Sequence, residues 1–385
     1  MKTLLNIFKT VLLVPLWLVL IVIFLSAIVY TWCPVYRFEE PTPFSGPNWF
    51  NPYTNLGPNW YKGNFQVQSQ SWGNTMDGHD SKEKVYDTYK ELGYDIITIS
   101  DYQHINRMEG MNVNVLPVYE HGYNIWKRHQ VSIGAKKVIW LEYIFGQTHS
   151  NMQNMINTLR PHTDFLLLAH PRLRDSYKPR DVRVLSNYDA LEVLNHYRNS
   201  SNVWDAALSA GKRAWLIGDD DSHKVDDPNQ TGVIWTMINA PGKDNTDIIA
   251  ALKAGHMYGV EGRNAENKNF LNSVKINGDT LIIACSDTAD AIRFIGQDGR
   301  EKSLLLKTNK AFYALQPEDT YIRTEIVNGN TRMYLNPVFR YHDTPDFEKA
   351  YSINWVLTWV QRVLGTAGLV LLVYWFLLNK KRRKK

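Results

Sequence analysis

Each end of this 385-residue chain carries an apolar run, and that pair of runs restricts the fold more than any other feature. Residues 11–32 are almost wholly apolar, which matches the roughly 20 residues a helix needs to cross a bilayer. Tyr30 and Trp32 stand at one edge of the run, where an interfacial aromatic belt would be. A cleaved signal peptide would have an apolar region of only about 7–15 residues and a small-residue cleavage site. Tyr30-Thr31-Trp32-Cys33 offers no such site. The second run, residues 358–378, is continuous from Ala367 to Leu378 and carries Arg362 near its outer end. A basic tail, Lys380-Lys381-Arg382-Arg383-Lys384-Lys385, comes directly after it. Basic flanks stay cytoplasmic. The expectation is therefore a membrane protein with two spans, both termini cytoplasmic and the main domain extracytoplasmic.

The net charge of +5 arises from the same segments. Removing the six tail cations with Lys2 and Lys9 leaves the rest of the chain at about −3. The basic balance is an orientation signal and gives no argument for nucleic-acid binding. Cys33 and Cys285 are too few and too far apart to form a disulfide framework, so the core must hold the fold.

Between the anchors the hydrophobic period changes twice. Residues 1–10 form a short cytoplasmic start. Residues 33–61 read as an irregular linker rich in Pro, Gly, Asn and aromatics. Residues 62–264 alternate short apolar runs (64–68, 95–100, 114–118, 164–169, 190–194 and 214–217) with helical patterns. Ser81 is placed to cap one helix carrying Val85, Tyr89 and Leu92 and stopped by Gly93. A second runs from Val203 to Ala210, and a third from about Asn245 to Gly255. Repeated strand–helix units imply a parallel sheet or barrel with helices outside. In residues 265–342 six short strands separated by Asn-Gly and Asp-Gly turns predict a small antiparallel β-sandwich. Residues 343–357 lead back to the second span, and 379–385 form the basic tail.

The polar residues that close the apolar runs suggest chemistry. Ser100-Asp101-Tyr102 ends one run, Glu120 comes just after another, His170-Pro171 ends a third, and Asp219-Asp220-Asp221-Ser222-His223 ends a fourth. In barrels of parallel strands the C-terminal strand ends form the active-site face. Carboxylates and imidazoles converging there suit a divalent Zn, Mn or Fe ion. In isolation each motif has a plainer meaning: a strand-ending Asp often caps a helix, and His-Pro often marks a turn.

The order of these motifs over about residues 62–260 resembles the PHP family, the polymerase and histidinol phosphatase superfamily of metal-dependent phosphoesterases. Residues 63–69 look like its opening strand, and Asp77-Gly78 like its Asp-Gly. Residues 93–102 resemble the strand that ends Thr-Asp-His, and 116–120 the strand bearing a bridging Glu. His129, His170-Pro171 and Asp221-Ser222-His223 match its later positions. The resemblance implies a mixed α/β fold, a distorted (β/α)7-type barrel ahead of the β-sandwich. It also implies metal ligands at Glu120, His129, His170, Asp221 and His223, a small polar phosphoester substrate, and up to three metals in the intact family. Here Gln66 and Gln68 replace the two opening histidines, and Tyr102 replaces a third. One metal-ligand set, Glu120, His129 and His170, survives whole, so one divalent ion is expected. Gln66, Gln68 and Tyr102 are expected to make ordinary hydrogen bonds instead.

Three functional readings stay open: a divergent metal-dependent hydrolase, a catalytically inactive ligand-binding module, and an envelope scaffold. His79 and His104 could reach the site only if their loops turn inward. His121, His149, His162, His196, His256 and His342 read as ordinary core or surface residues, and Glu192 as a support for the site.

Overall fold

The computed structural model describes residues 2–76, 78–111, 113, 115–263, 268–345 and 350–382. Asp77, Asn114, the expected boundary at 264/265 and Arg383 to Lys385 lie outside the described residues. In chain order come α1 (Lys2–Trp32), β1 (Tyr36–Phe38), β2 (Asn48–Phe50), β3 (Trp60–Asn64), α2 (Lys82–Glu91) and β4 (Ile96–Ile97). After these are β5 (Val118–His121), β6 (Gln130–Ile133), α3 (His149–Leu159), β7 (Phe165–Leu168), α4 (Pro179–Val182) and β8 (Ala190–Asn195). Next are α5 (Ser201–Ser209), β9 (Trp215–Asp219), β10 (Ile234–Asn239), α6 (Asn245–Ala254) and β11 (Met257–Glu261). The C-terminal part holds β12 (Leu271–Asn277), β13 (Thr280–Gly296), β14 (Arg300–Ala314), β15 (Tyr321–Asn328), β16 (Thr331–Tyr341), β17 (Tyr351–Ile353) and α7 (Trp355–Arg382).

A five-stranded sheet in the order β5-β6-β7-β8-β9 carries the candidate site. Each residue of β7, Phe165-Leu166-Leu167-Leu168, is fully buried, as befits a strand covered on both faces. Two isolated parallel bridges, Val67↔Ser222 and Tyr102↔Glu120, tie both edges of this sheet to segments just after β3 and β4, so the sheet curls. The expected strand–helix alternation holds only in part. β7, β8 and β9 run parallel, but β5, β6 and β7 pair antiparallel. The segment from β5 to β6 folds straight back on itself, so no crossover helix is needed between them.

The C-terminal strands form an antiparallel, β-rich region in a ten-stranded sheet that runs through β16 and β11 to β10, β3 and β4. The six short strands expected there merge into longer ones. Residues 281–285 and 291–295 both belong to β13, whose ladder with β14 continues past a register break between Ala284 and Ala289. A bulge lets one strand bend without ending, and its polar residues resemble a turn in sequence.

Helix ends obey the sequence signals. The Ser81 hydroxyl accepts from Lys84 N at 3.3 Å, and α2 buries Val85 and Tyr89 on one face. α6 ends on Gly255 at φ 77°, where a Cβ would lie 2.8 Å from the Trp215 ring. The region around α5 is locked to the β-rich part by Arg323. Its guanidinium donates to both Asp205 oxygens at 2.6 and 2.9 Å and to Glu325 at 2.6 Å, all buried.

Two helices are long and apolar enough to cross a membrane: residues 13–32 of α1, with mean hydropathy 2.7, and residues 355–379 of α7, with mean hydropathy 1.7. They pack on each other. Gln361 Nε2 donates to the carbonyls of Tyr30, Thr31 and Cys33 at 3.0–3.2 Å, satisfying groups that a helix end leaves free. Gly365 lies against Thr31 so closely that a Cβ would meet it at 2.5 Å, a small-residue contact typical of packed apolar helices. The remaining faces expose rows of Leu, Val, Ile and Trp. β1 and β17 pair just beyond the two helices and clamp them to the domain.

Candidate metal centre

The ladder of the five-stranded sheet brings three sequence-distant residues together. Glu120 lies in β5 opposite Val131 of β6, and His129 precedes β6. His129 O accepts from Ala169 N at 3.2 Å, extending the β6–β7 pairing toward His170. Glu120, His129 and His170 each offer one ligand atom, and these atoms lie within 4.8 Å of one another, all buried. His129 Nδ1 makes a short hydrogen bond with Glu120 Oε1, and His170 Nε2 lies 3.3 Å from the same oxygen. Gly122, at φ 133°, makes room for the His129 ring, because a Cβ there would approach it to 2.5 Å.

Asp221 and His223 reach the neighbourhood by another route. They face each other at 3.6 Å and do not belong to the three-residue group. Asn195 Nδ2 links Asp221 Oδ2 (3.0 Å) to Glu192 Oε1 (2.7 Å), and Glu192 Oε2 accepts from His170 N at 2.5 Å. The Tyr102 ring stands between the two histidine positions, with centroids 5.3 Å from His129 and 6.4 Å from His223. His170 (φ 30°) and Asp221 (φ 49°) both occupy the left-handed region, a costly conformation for residues with a Cβ that is found at functional sites.

The glutamines standing where the sequence resemblance expected imidazoles behave differently from one another. Gln68 Nε2 donates to Glu120 Oε2 at 2.6 Å and to Ser100 O at 3.0 Å, as expected. Gln66 departs from expectation: it is fully buried, and neither amide atom has a hydrogen-bond partner among the described residues. Its backbone is paired with Asp221 N, so the strand position is fixed while the side chain finds no counterpart. His79 and His104 remain exposed, and His104 faces Asp101, at 3.7 Å, and the Trp72 ring, at 6.4 Å between centroids. Asp101 itself is taken up by Ser69 and Asn106. Asp220 accepts from three backbone amides at residues 232–234 and so shapes a loop.

Two buried carboxyls are pushed in opposite directions. Burial alone would raise Glu120, but the His129 and His170 imidazoles outweigh it and hold its carboxyl well below the ordinary carboxylate range. Burial lowers His129, against the opposing pull of the Glu120 carboxylate. Glu192, by contrast, is raised well above its ordinary value by burial and then by Asp221 and Asp219. Opposed shifts in neighbouring acids are a mark of functional sites.

These donors fit a divalent ion. One anionic carboxylate and two imidazoles are a set that Zn, Mn or Fe takes readily. His170 Nδ1 and Asp221 Oδ1 are buried without a hydrogen-bond partner among the described residues, which leaves polar valence unused around the group. His129 lines a cleft of about 600 Å³ together with Trp72, Tyr102, Tyr123 and Trp140, and with Lys127 and Gln103. Tyr102 apart, the aromatic wall carries no sequence signal, and neither do Gln103 and Asn195. Trp72, Trp140 and Asn195 occupy loops or a strand end with no motif of their own, and only the fold joins them.

No family model matches the chain, and no curated protein matches it. Among solved structures, a two-domain protein containing predicted PHP-like metal-dependent phosphoesterase from Bacteroides vulgatus aligns with a TM-score of 0.42 and 12% identity, over 80% of this chain and 92% of that one. A likeness this distant transfers neither residues nor activity.

Proposed function

We propose that the protein is a divergent PHP-type, metal-dependent hydrolase acting on phosphoesters or similar small polar esters. The observation that supports this best is the buried Glu120, His129 and His170 group, whose His129 lines an aromatic cleft. These three residues would hold one Zn, Mn or Fe ion, and Asp221, linked to His170 through Asn195 and Glu192, would with His223 support it or hold a weaker one. Such an ion polarises an ester oxygen and acidifies a bound water. The chain's own residues supply the rest. Lys127, 5.5 Å from the Tyr102 ring, brings positive charge to the cleft mouth for an anionic ester. Glu192, accepting from His170 N at 2.5 Å, fixes the His170 backbone. The aromatic walls exclude water from the bound ester. The two terminal helices, on this reading, span a membrane with both termini cytoplasmic and the catalytic domain outside, in keeping with the placement of Lys2, Lys9 and the basic tail.

A second reading, an inactive ligand-binding module, draws on Gln68, whose amide occupies the Glu120 oxygen left over by the histidines. Hydrolysis of a chromogenic phosphodiester and monoester by the purified full chain, with and without added Zn, Mn or Fe, separates the two. Metal-dependent turnover lost in His170→Ala supports the enzyme. Bound metal without turnover supports the binding module.

A further inference from the structure

A second cavity, of about 550 Å³, lies apart from the candidate metal centre and is lined by Arg128, Arg174, Lys178 and Arg180, with Trp126 and His149. Arg128 and His129 are neighbours in sequence but serve different cavities, because successive side chains of an extended segment point to opposite sides. Four cations meet two carboxylates here, and one of these is already engaged. Asp181 is bonded by His149 Nε2 at 2.9 Å and by Lys178 N at 2.9 Å, and Arg180 Nε lies 3.7 Å from the same carboxylate with its side chain otherwise exposed. Arg128 is built into the wall at 7% exposure: its Nε donates to Ser176 O at 2.5 Å, and its Nη1 has no partner among the described residues. A buried guanidinium with an unused donor, surrounded by further cations, is half of a charge-assisted pair.

The cavity's position narrows the other half. The start of α3 forms one wall, and it is bound to the chain just beyond α1. Ser150 Oγ accepts from Tyr36 N at 3.0 Å, and the ring of His149 lies 5.9 Å from that of Phe38. Next to the cavity, Phe145 N donates to the hydroxyl of Tyr30, in the last turn of the apolar helix, at 3.0 Å. The cavity thus opens where an apolar helix leaves the domain, and its volume exceeds what a bare oxyanion fills.

We infer that this cavity is a binding site for a phosphate group, held by Arg128, Arg174, Lys178 and Arg180. The source is either the headgroup of a phospholipid at the membrane surface or a soluble phosphate. Only the lipid source rests on the reading that the terminal helices lie in a bilayer. The anion site itself stands without that reading and without the metal centre.

The test uses the full chain, stripped of metal with a chelator so that the candidate metal centre does not contribute. In delipidated dodecyl maltoside micelles, calorimetric titration with inorganic phosphate at constant ionic strength is expected to show saturable binding. His170→Ala should bind equally well. Arg174→Gln combined with Arg180→Gln, both at exposed positions, should weaken binding by about tenfold or more, the worth of one charge-assisted hydrogen bond. The titration is then repeated in phosphatidylglycerol nanodiscs. Loss of phosphate binding there identifies a lipid headgroup as occupant, and unchanged binding identifies soluble phosphate. Absence of saturable binding in micelles, binding unaltered by the double substitution, or binding abolished by His170→Ala would each overturn the proposal.

Discussion

Replacing Gln66 with methionine should make the metal-free protein more stable. Gln66 is fully buried, and both of its amide atoms are without a hydrogen-bond partner among the described residues. A buried polar group left unpaired costs about 1–3 kcal/mol relative to water. Methionine has nearly the same length and shape and adds no polar atom, so packing changes little. The hydrogen bond from Asp221 N to Gln66 O, at 2.9 Å, involves only backbone and survives the change. Relief of the amide's desolvation should therefore stabilise the fold by about 1–2 kcal/mol, a sign opposite to that of most core substitutions. Urea unfolding of the full chain in micelles, tracked by circular dichroism after chelation, measures it. A loss of stability, or no change, would refute the reasoning, since it would mean that the amide is satisfied by water or an ion. Metal content should be the same in Gln66→Met and wild type.

Arg323→Met should cost about 3–5 kcal/mol, because it strands Asp205 and Glu325 in a buried setting, and the loss should be smaller when Asp205→Asn is added. The same urea assay reads both. Glu192 predicts a pH effect. Its folded pKa is raised above the unfolded value of about 4.3, so folding takes up a proton. The stability this contributes is present below about pH 4.3 and is lost progressively as pH rises above it. Glu192→Gln should therefore flatten the decline in melting temperature of the metal-free protein as pH rises above about 4.3, and an unchanged slope would count against the upward shift of Glu192. For topology, protease added to intact cells should digest the central domain and spare tags at both termini. A protected central domain would contradict the proposed orientation.

Features that depend on local chemistry could be read from the sequence. The apolar helices announce themselves by length, the Ser81 cap by residue type, and β7 by an unbroken apolar run. His121 is the satisfied core histidine that a plain reading expects, bonded to Gln130 at 2.8 Å and to Leu141 O at 2.9 Å. Features that depend on pairing could not. The antiparallel run of β5 to β7 and the merger of short apolar segments into β13 are decided by which strand lies alongside, and the periodicity of a single strand does not encode that. The meeting of Glu120, His129 and His170 was suggested by motif order alone. Their distances, the unpaired amide of Gln66 and the cationic cavity around Arg128 come only from tertiary placement. His149, read as ordinary, is hydrogen-bonded to Asp181 on the wall of that cavity.

Elemental analysis of the purified full chain, with variants alongside, bears most directly on the metal centre. Wild type should carry about one transition-metal ion per chain, held by one carboxylate and two imidazoles. His170→Ala should carry none while keeping its fold by circular dichroism. A well-folded wild type that takes up no Zn, Mn or Fe, or one that loads three ions per chain, would contradict the account.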